Sequence, residues 1–194
     1  AKAIRGMDAV VLAVPHQETA RFFAADPICR TLPLYGGSPD DVLARVLGVS
    51  TRCQADVVLR LTGDCPLLAP DVAEVALAAF HAQGVDYLGT TRPTLAVPDG
   101  MDVEVFTRAA LETAYREATD QEDREHVTRY IWRQPDRFKI GRYPKGAIER
   151  SYIAAEFPSL VQWHDWAPGL KLSVDTAEDL QRVRAIMARL APGD

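Results

Sequence analysis

An α/β fold, with a mostly parallel sheet wound between helices on both faces, is predicted by three observations. Short apolar runs of strand length alternate with stretches of helical periodicity, in the order β-α-β-α-β-α-β as far as Thr90. Most of the runs are followed closely by proline or glycine, which interrupt a ladder or release the chain into a turn. Two of them, far apart in the chain, end in an aspartate, Asp64 and Asp175. In a parallel sheet the carboxyl ends of the strands lie along one edge, where open α/β folds bind ligands.

Asp8 to Val14 is the first apolar run, and Pro15 closes it. His16 to Ala25 has helix-forming composition, with Phe22 and Phe23 turned toward the sheet. Leu32 to Tyr35 is a short strand, followed by Gly36-Gly37-Ser38-Pro39-Asp40-Asp41. That segment predicts a helix start, with Ser38 as N-cap, Pro39 at the first helical position and Asp41 completing a capping box, and helix to about Cys53. Val57 to Leu61 is apolar enough for a strand buried on both faces, and it stops at Gly63. From Pro70 to Gln83 the residues Val72, Val75, Ala76, Ala79 and Phe80 recur at helical spacing, and Asp86 to Thr90 reads as a strand.

Beyond Thr90 the alternation loosens. Thr91 to Gly100 is a proline-bearing loop of the kind that carries substrate contacts. Met101 to Phe106 alternates apolar and acidic residues, so Asp102 and Glu104 share one strand face, either a solvated face or a polar wall of a pocket. Thr107 to Thr119 and Asp120 to Gln134 read as two helices, the second burying Val127, Tyr130 and Ile131. Phe138 to Tyr143 reads as a strand. Between Pro144 and Leu170 the aromatics of Trp163-His164-Asp165-Trp166 suit either a cover for the sheet edge or a subunit contact. A last strand ends at Asp175, and Thr176-Ala177-Glu178-Asp179 opens a helix with Leu180, Val183, Ile186, Met187 and Leu190 as its apolar stripe.

With 194 residues, 47% hydrophobic and 25% charged, one well-buried domain is the economical organisation. A formal net charge of −5 argues against non-specific binding to nucleic acid or anionic membranes, while leaving room for local basic patches. Cys29, Cys53 and Cys65 form no close pair, which speaks against a disulfide framework or a structural zinc site. No apolar run approaches bilayer length, so a cytoplasmic enzyme or binding protein is expected.

Candidate chemistry gathers at a few points. Asp64, projecting past a strand end before Pro66, suits a hard cation, and it equally suits a turn or cap. Asp175 lies beside a helix N-terminus, whose dipole stabilises an acid whether or not a metal is present. Gly36 and Gly37 ahead of a helix allow an anion to approach the backbone, or serve plain turn chemistry. His126 is a lone helical imidazole. Arg45, Arg60, Arg92 and Arg124 are candidate partners for phosphate or carboxylate oxygens.

Five motifs occur in one order along nearly the whole chain. They are Gly37-Ser38-Pro39-Asp40-Asp41-Val42-Leu43 with Arg45; Thr62-Gly63-Asp64-Cys65-Pro66-Leu67; Pro98-Asp99-Gly100-Met101-Asp102-Val103-Glu104-Val105-Phe106; Arg124-Glu125-His126-Val127-Thr128; and Val174-Asp175-Thr176-Ala177-Glu178-Asp179-Leu180. As a set they resemble the cytidylyltransferase family in its spore-coat polysaccharide branch, with CMP-Kdo and CMP-sialate synthetases as more distant relatives. The resemblance implies a nucleotide-diphospho-sugar transferase fold of the glycosyltransferase-A type. It implies transfer of a cytidylyl group from CTP to a small acidic sugar or similar acceptor, with magnesium held by Asp64 and Asp175. Gly37, Ser38, Asp41, Arg45 and Thr62 fall to the nucleotide, and Asp99, Asp102, Glu104, Arg124, Glu125 and His126 to the acceptor. No nucleic acid or membrane partner is implied, and a homodimer is allowed.

These residues begin at what corresponds to the family's first helix. The expectation is a single domain over 1–194 without the family's N-terminal strand and its Arg-x-Pro-x-Lys triphosphate loop. Two alternatives stand beside this reading: a metal-dependent glycosyltransferase using a nucleotide sugar, and a non-catalytic relative that binds sugar nucleotides. The paired acids usual in the former are missing, since Cys65 and Pro66 follow Asp64.

Overall fold

The computed structural model describes residues 3–16, 23, 25–27, 29–144 and 169–189. Five strands, six α-helices and one 3-10 turn (Cys29–Thr31) are assigned within them: β1 (Leu12–Pro15), β2 (Leu34–Gly37), α1 (Val42–Arg52), β3 (Val57–Leu61), α2 (Pro70–Gln83), β4 (Tyr87–Gly89), β5 (Val103–Thr107), α3 (Arg108–Glu117), α4 (Gln121–Glu125), α5 (Arg129–Trp132) and α6 (Ala177–Met187). Strands β1 and β2 pair in parallel. Strand β5 lies between β3 and β4 and runs antiparallel to both. The alternation of residues 101–106 predicts a strand there; its reversed direction follows from the loop before it, which is too short and irregular for a crossover helix.

Three layers result, because the two faces of the β3-β5-β4 sheet enter different cores. Val103, Val105 and Leu88, with Leu59 and Leu61, pack on Val72, Ala76, Ala79 and Phe80 of α2. Tyr87, Phe106 and Val58 pack on Leu43 of α1, Leu111 and Ala114 of α3, and Val127 and Ile131. The period of two along β5 sends Val103 and Val105 to one core and Phe106 to the other, all fully buried. The same parity puts Asp102 and Glu104 on the second face, as their spacing predicts.

Helix α2 matches its expected bounds, and Gly84 ends it in a left-handed conformation with φ of 57°. Elsewhere the structure revises local expectations. Helix α1 begins three residues later than predicted: Asp41 is the N-cap and accepts from the Ala44 amide. Ser38 instead closes a small turn, its hydroxyl accepting from the amides of Asp40 and Asp41. The helix expected over 120–134 breaks at His126–Thr128, where Val127 is buried with φ of 56°. A β-branched residue adopts that conformation only where its surroundings impose it. Residues 138–143 contribute one parallel bridge, Tyr87 to Ile140, and 172–174 form an extended segment in place of a strand.

The capping box at Thr176 and Asp179 is present. On the stripe of α6, Val183 is buried while Leu180 and Met187 are exposed, and Leu190 lies outside the described residues. Most of the helix expected at 16–25 and the aromatic segment at 163–166 also fall outside them. Among the described residues no helix is long and apolar enough to cross a membrane.

Candidate active site

The turn after β3 is tied to two other acidic segments. The Thr62 hydroxyl and the Cys65 thiol are 3.3 Å apart, and the thiol lies 3.6 Å from Asp64 Oδ1 and 3.7 Å from Asp102 Oδ2. Burial pushes the Cys65 thiol up to about 11, so it stays protonated and serves as a donor between the two carboxylates. Thr62 and Cys65 also line a cavity of about 210 Å³ with Ile4, Leu61 and Pro66. Asp102 is otherwise held by the Thr91 hydroxyl and by the Gly100 amide at 3.0 Å.

The second strand-end acid arrives at the same place through the backbone. The Val174 amide donates to the Asp64 carbonyl at 2.8 Å, and the Leu172 amide to the Asp99 carbonyl at 2.7 Å. Gly100 makes this approach possible. Its φ is +95°, and a Cβ there would lie 2.3 Å from the Ser173 nitrogen. The loop at 98–102, the turn at 62–66 and the segment at 171–175 are thereby joined through their backbones, while among the described residues no three His, Cys, Asp or Glu side chains are grouped to hold a metal ion.

The Asp64 and Asp175 residues are both exposed. The Asp175 Oδ2 accepts from Lys171 Nζ at 2.7 Å and from the Ser173 hydroxyl at 3.2 Å. Lys171 foremost, then Ser173, hold that carboxyl below its usual range. Lys171 also reaches Asp179 Oδ2 at 2.8 Å, an acid further engaged by Arg182 and by the amides of Asp175 and Thr176.

A basic region begins at β2. The space above Gly37 is filled by Arg45, whose Cγ would lie 2.9 Å from an added Cβ, and Arg45 donates to the Ser38 carbonyl. Gly37 thus admits an arginine stem over its backbone. The Arg45 Nε is buried with no hydrogen-bond partner among the described residues, and burial together with the like charge of Arg60 lowers its proton affinity. Arg60 in turn pairs with Glu104 at 2.5 Å.

Glu104 joins four elements: besides Arg60 it accepts from the Tyr87 hydroxyl at 3.1 Å and from the Thr128 hydroxyl. Burial, reinforced by the Glu104 charge, raises the Tyr87 phenol well above its ordinary value. Thr128 follows the strained Val127, so this carboxylate fastens the break between α4 and α5.

Among the residues assigned to the acceptor, Arg124 is fully employed within the protein. Its guanidinium binds Asp41 Oδ2 at 2.6 and 3.1 Å, donates to the Tyr115 carbonyl at 2.7 Å and lies 4.6 Å from the Tyr115 ring centroid. Asp41 and Arg124, expected on the nucleotide and the acceptor, therefore pin the start of α1 to α4. Glu104 and Asp102 are likewise saturated by protein donors. Glu125 and His126 are exposed at the end of α4, and Asp99 is exposed in its loop. Sequence reasoning missed Cys65, Lys171, Ser173 and Thr128 as parts of the site. Their signal was proximity to quoted motifs: Cys65 and Thr128 lie inside two of them, Ser173 and Lys171 just before a third.

A family model described as Cytidylyltransferase matches residues 2–188. An uncharacterised protein of Methanocaldococcus jannaschii is 31% identical over 156 residues, covering 79% of this chain and 56% of that protein. The spore coat polysaccharide biosynthesis protein SpsF of Bacillus subtilis is 29% identical over 180 residues, or 92% of this chain and 67% of its own. The chain thus spans between about half and two thirds of the length of these two relatives. Among solved structures, a cytidylyltransferase from Leptospira borgpetersenii superposes with a TM-score of 0.77 at 23% identity, covering 98% of this chain and 73% of that one. A CMP:2-keto-3-deoxy-manno-octonic acid synthetase complexed with CTP superposes with a TM-score of 0.64 at 15% identity, covering 97% and 84%. The motifs, the three-layer sheet with its antiparallel β5, and a family match over nearly every residue agree: the chain belongs to the cytidylyltransferase family.

Proposed function

We propose that this domain serves Mg²⁺-dependent transfer of a cytidylyl group from CTP to a small acidic sugar-like acceptor, releasing pyrophosphate, in the cytoplasmic steps of surface polysaccharide or glycoconjugate synthesis. The observation that carries the reading is the approach of the two segments that hold Asp64 and Asp175, distant in sequence, through the hydrogen bond from the Val174 amide to the Asp64 carbonyl. Two exposed carboxylates on adjoining backbone fit a cation that takes one or two protein acids and fills its remaining positions with phosphate oxygens and water. Asp64 and Asp175 would hold it, and when bound it would supply charge neutralisation at the α-phosphate.

The remaining chemistry belongs to the chain. Nucleotidyl transfer is an in-line displacement in which an acceptor oxygen forms a bond to the α-phosphorus as the bond to pyrophosphate breaks, so positioning and charge dominate. Arg45 offers an unsatisfied guanidinium N–H beside a second arginine, a positive surplus suited to a nucleotide oxygen. The Cys65 thiol and the Gly100 amide fix Asp102 beside Asp64 and keep the acidic floor ordered. Glu104 and Thr128 set the turn next to His126, which is exposed and is the residue proposed for the acceptor.

Asp64→Asn and Asp175→Asn test the reading in pyrophosphate-release assays on the full-length protein. Each is expected to lower turnover by about 100-fold, the scale of losing a charge-stabilising contact to the reacting phosphate. The double variant should cost much less than the product of the singles, as for groups that act as a unit. Near-normal Mg²⁺-dependent turnover in either single variant refutes the shared-cation assignment.

A further inference from the structure

We propose that Ser173 and Lys171 are positioning residues that grip one oxygen of Asp175 and thereby present the other to the cation. The inference rests on the cation reading given above and assigns a function to two residues outside the catalytic acids. Both donors converge on Oδ2: Lys171 Nζ at 2.7 Å and the Ser173 hydroxyl at 3.2 Å. Oδ1 accepts no hydrogen bond among the described residues. A carboxylate held at one oxygen has lost its freedom to rotate, so the free oxygen points in a defined direction without further ordering on binding.

The grip is itself anchored. Ser173 is 4% exposed, and its backbone packs against Gly100, so its hydroxyl has little freedom to follow a wandering carboxylate. Lys171 is held from the other side by Asp179, which is 5% exposed at its side chain and tied to Arg182 and to the amides of Asp175 and Thr176. The ammonium therefore bridges Asp175 to the buried capping acid of α6, and the helix N-terminus fixes the ligand's outer oxygen. Asp64 lacks such a grip: the thiol beside its Oδ1 is a weak donor at 3.6 Å. The two acids differ accordingly, Asp175 being preorganised and Asp64 free to adjust to the bound ion.

Ser173 gives the cleaner test because its hydroxyl is neutral, so Ser173→Ala removes orientation without altering the local charge. Mn²⁺ affinity of the full-length protein, read from the electron paramagnetic resonance signal of free Mn²⁺ at saturating CTP, is the measurement. Ser173→Ala is expected to weaken Mn²⁺ binding about tenfold, the scale seen when an outer hydrogen bond to a metal ligand is lost. Lys171→Met should weaken it as well, and Lys171→Arg should restore it, with thermal melts establishing that each variant is folded. Asp175→Asn is the control on the underlying reading. If it weakens Mn²⁺ binding while Ser173→Ala leaves it unchanged, the grip is refuted and the cation assignment stands. If Asp175→Asn itself leaves Mn²⁺ affinity unchanged, the cation assignment fails and the grip with it. Tighter Mn²⁺ binding in Lys171→Met would make Lys171 a competing cation and overturn its positioning role.

Discussion

Gly100→Ala perturbs the point at which the acidic segments are joined. The new methyl would lie 2.3 Å from the Ser173 nitrogen and 2.4 Å from the Leu172 carbonyl carbon, both backbone atoms. Neither can rotate away, so the loop at 98–102 and the segment at 171–175 must separate by roughly 1 Å to restore van der Waals contact. An L-residue held at φ of +95° costs about 1–2 kcal/mol. Separation also loosens the Leu172–Asp99 hydrogen bond, and losing it costs about 1 kcal/mol. The total of about 2–3 kcal/mol corresponds to a fall of roughly 4–12 °C in Tm for a domain of this size. Differential scanning calorimetry measures that directly, and Mn²⁺ binding on the still-folded variant should weaken because the segment that carries Asp175 is displaced. A Tm within about 2 °C of wild type would refute the claim that this glycine is what lets the loop at 98–102 lie against the segment at 171–175.

Two further outcomes follow from the surroundings of single groups. Glu117 is held down to about 2, chiefly by Arg137 and then by the Tyr130 hydroxyl. A depressed carboxyl contributes stability that is present above its unfolded value, near 4.3, and lost as pH falls toward the folded value. Carbon-detected NMR should therefore find Glu117 ionised at about pH 3, and Arg137→Met should return its titration toward the unfolded value of about 4.3; an unshifted titration in that variant refutes the pairing. Among the cysteines, exposed Cys53 should react first with an aromatic disulfide at mildly alkaline pH, and buried Cys65, pushed up to about 11, only after unfolding. Mass mapping of labelled peptides checks the order, and early labelling of Cys65 would remove its donor role between Asp64 and Asp102.

Local sequence determined the elements whose signals are local. Pro70 at the start of α2, its apolar spacing and Gly84 beyond its end specify that helix from within, and the capping box at Thr176 does the same for α6. The parity of β5 assigned Asp102 and Glu104 to one face before any packing was known, since side chains alternate along a strand regardless of its partners. The family motifs drew Asp64 and Asp175 out as candidate site residues. Where local signals competed, the reading slipped: Ser38 and Asp41 both have the chemistry of an N-cap, and which one caps α1 is decided by the pull of Arg124 on Asp41 across the molecule.

Tertiary structure decided the rest, because hydrogen bonds between distant segments leave no periodic trace in a chain. Residues 120–134 carry helical periodicity throughout, yet the helix breaks where the Thr128 hydroxyl finds Glu104 on β5. Arg124 has the chemistry of a ligand-binding residue, and only the tertiary structure shows its guanidinium on Asp41 and the Tyr115 carbonyl. The approach of the segment carrying Asp175 to the loop at 98–102 and the turn at 62–66 depends on a glycine, Gly100, that belongs to neither acid's motif, and on backbone atoms that every residue type shares. Residue identity thus named the acids, and the close packing of three backbone segments determined that the stretches carrying them adjoin.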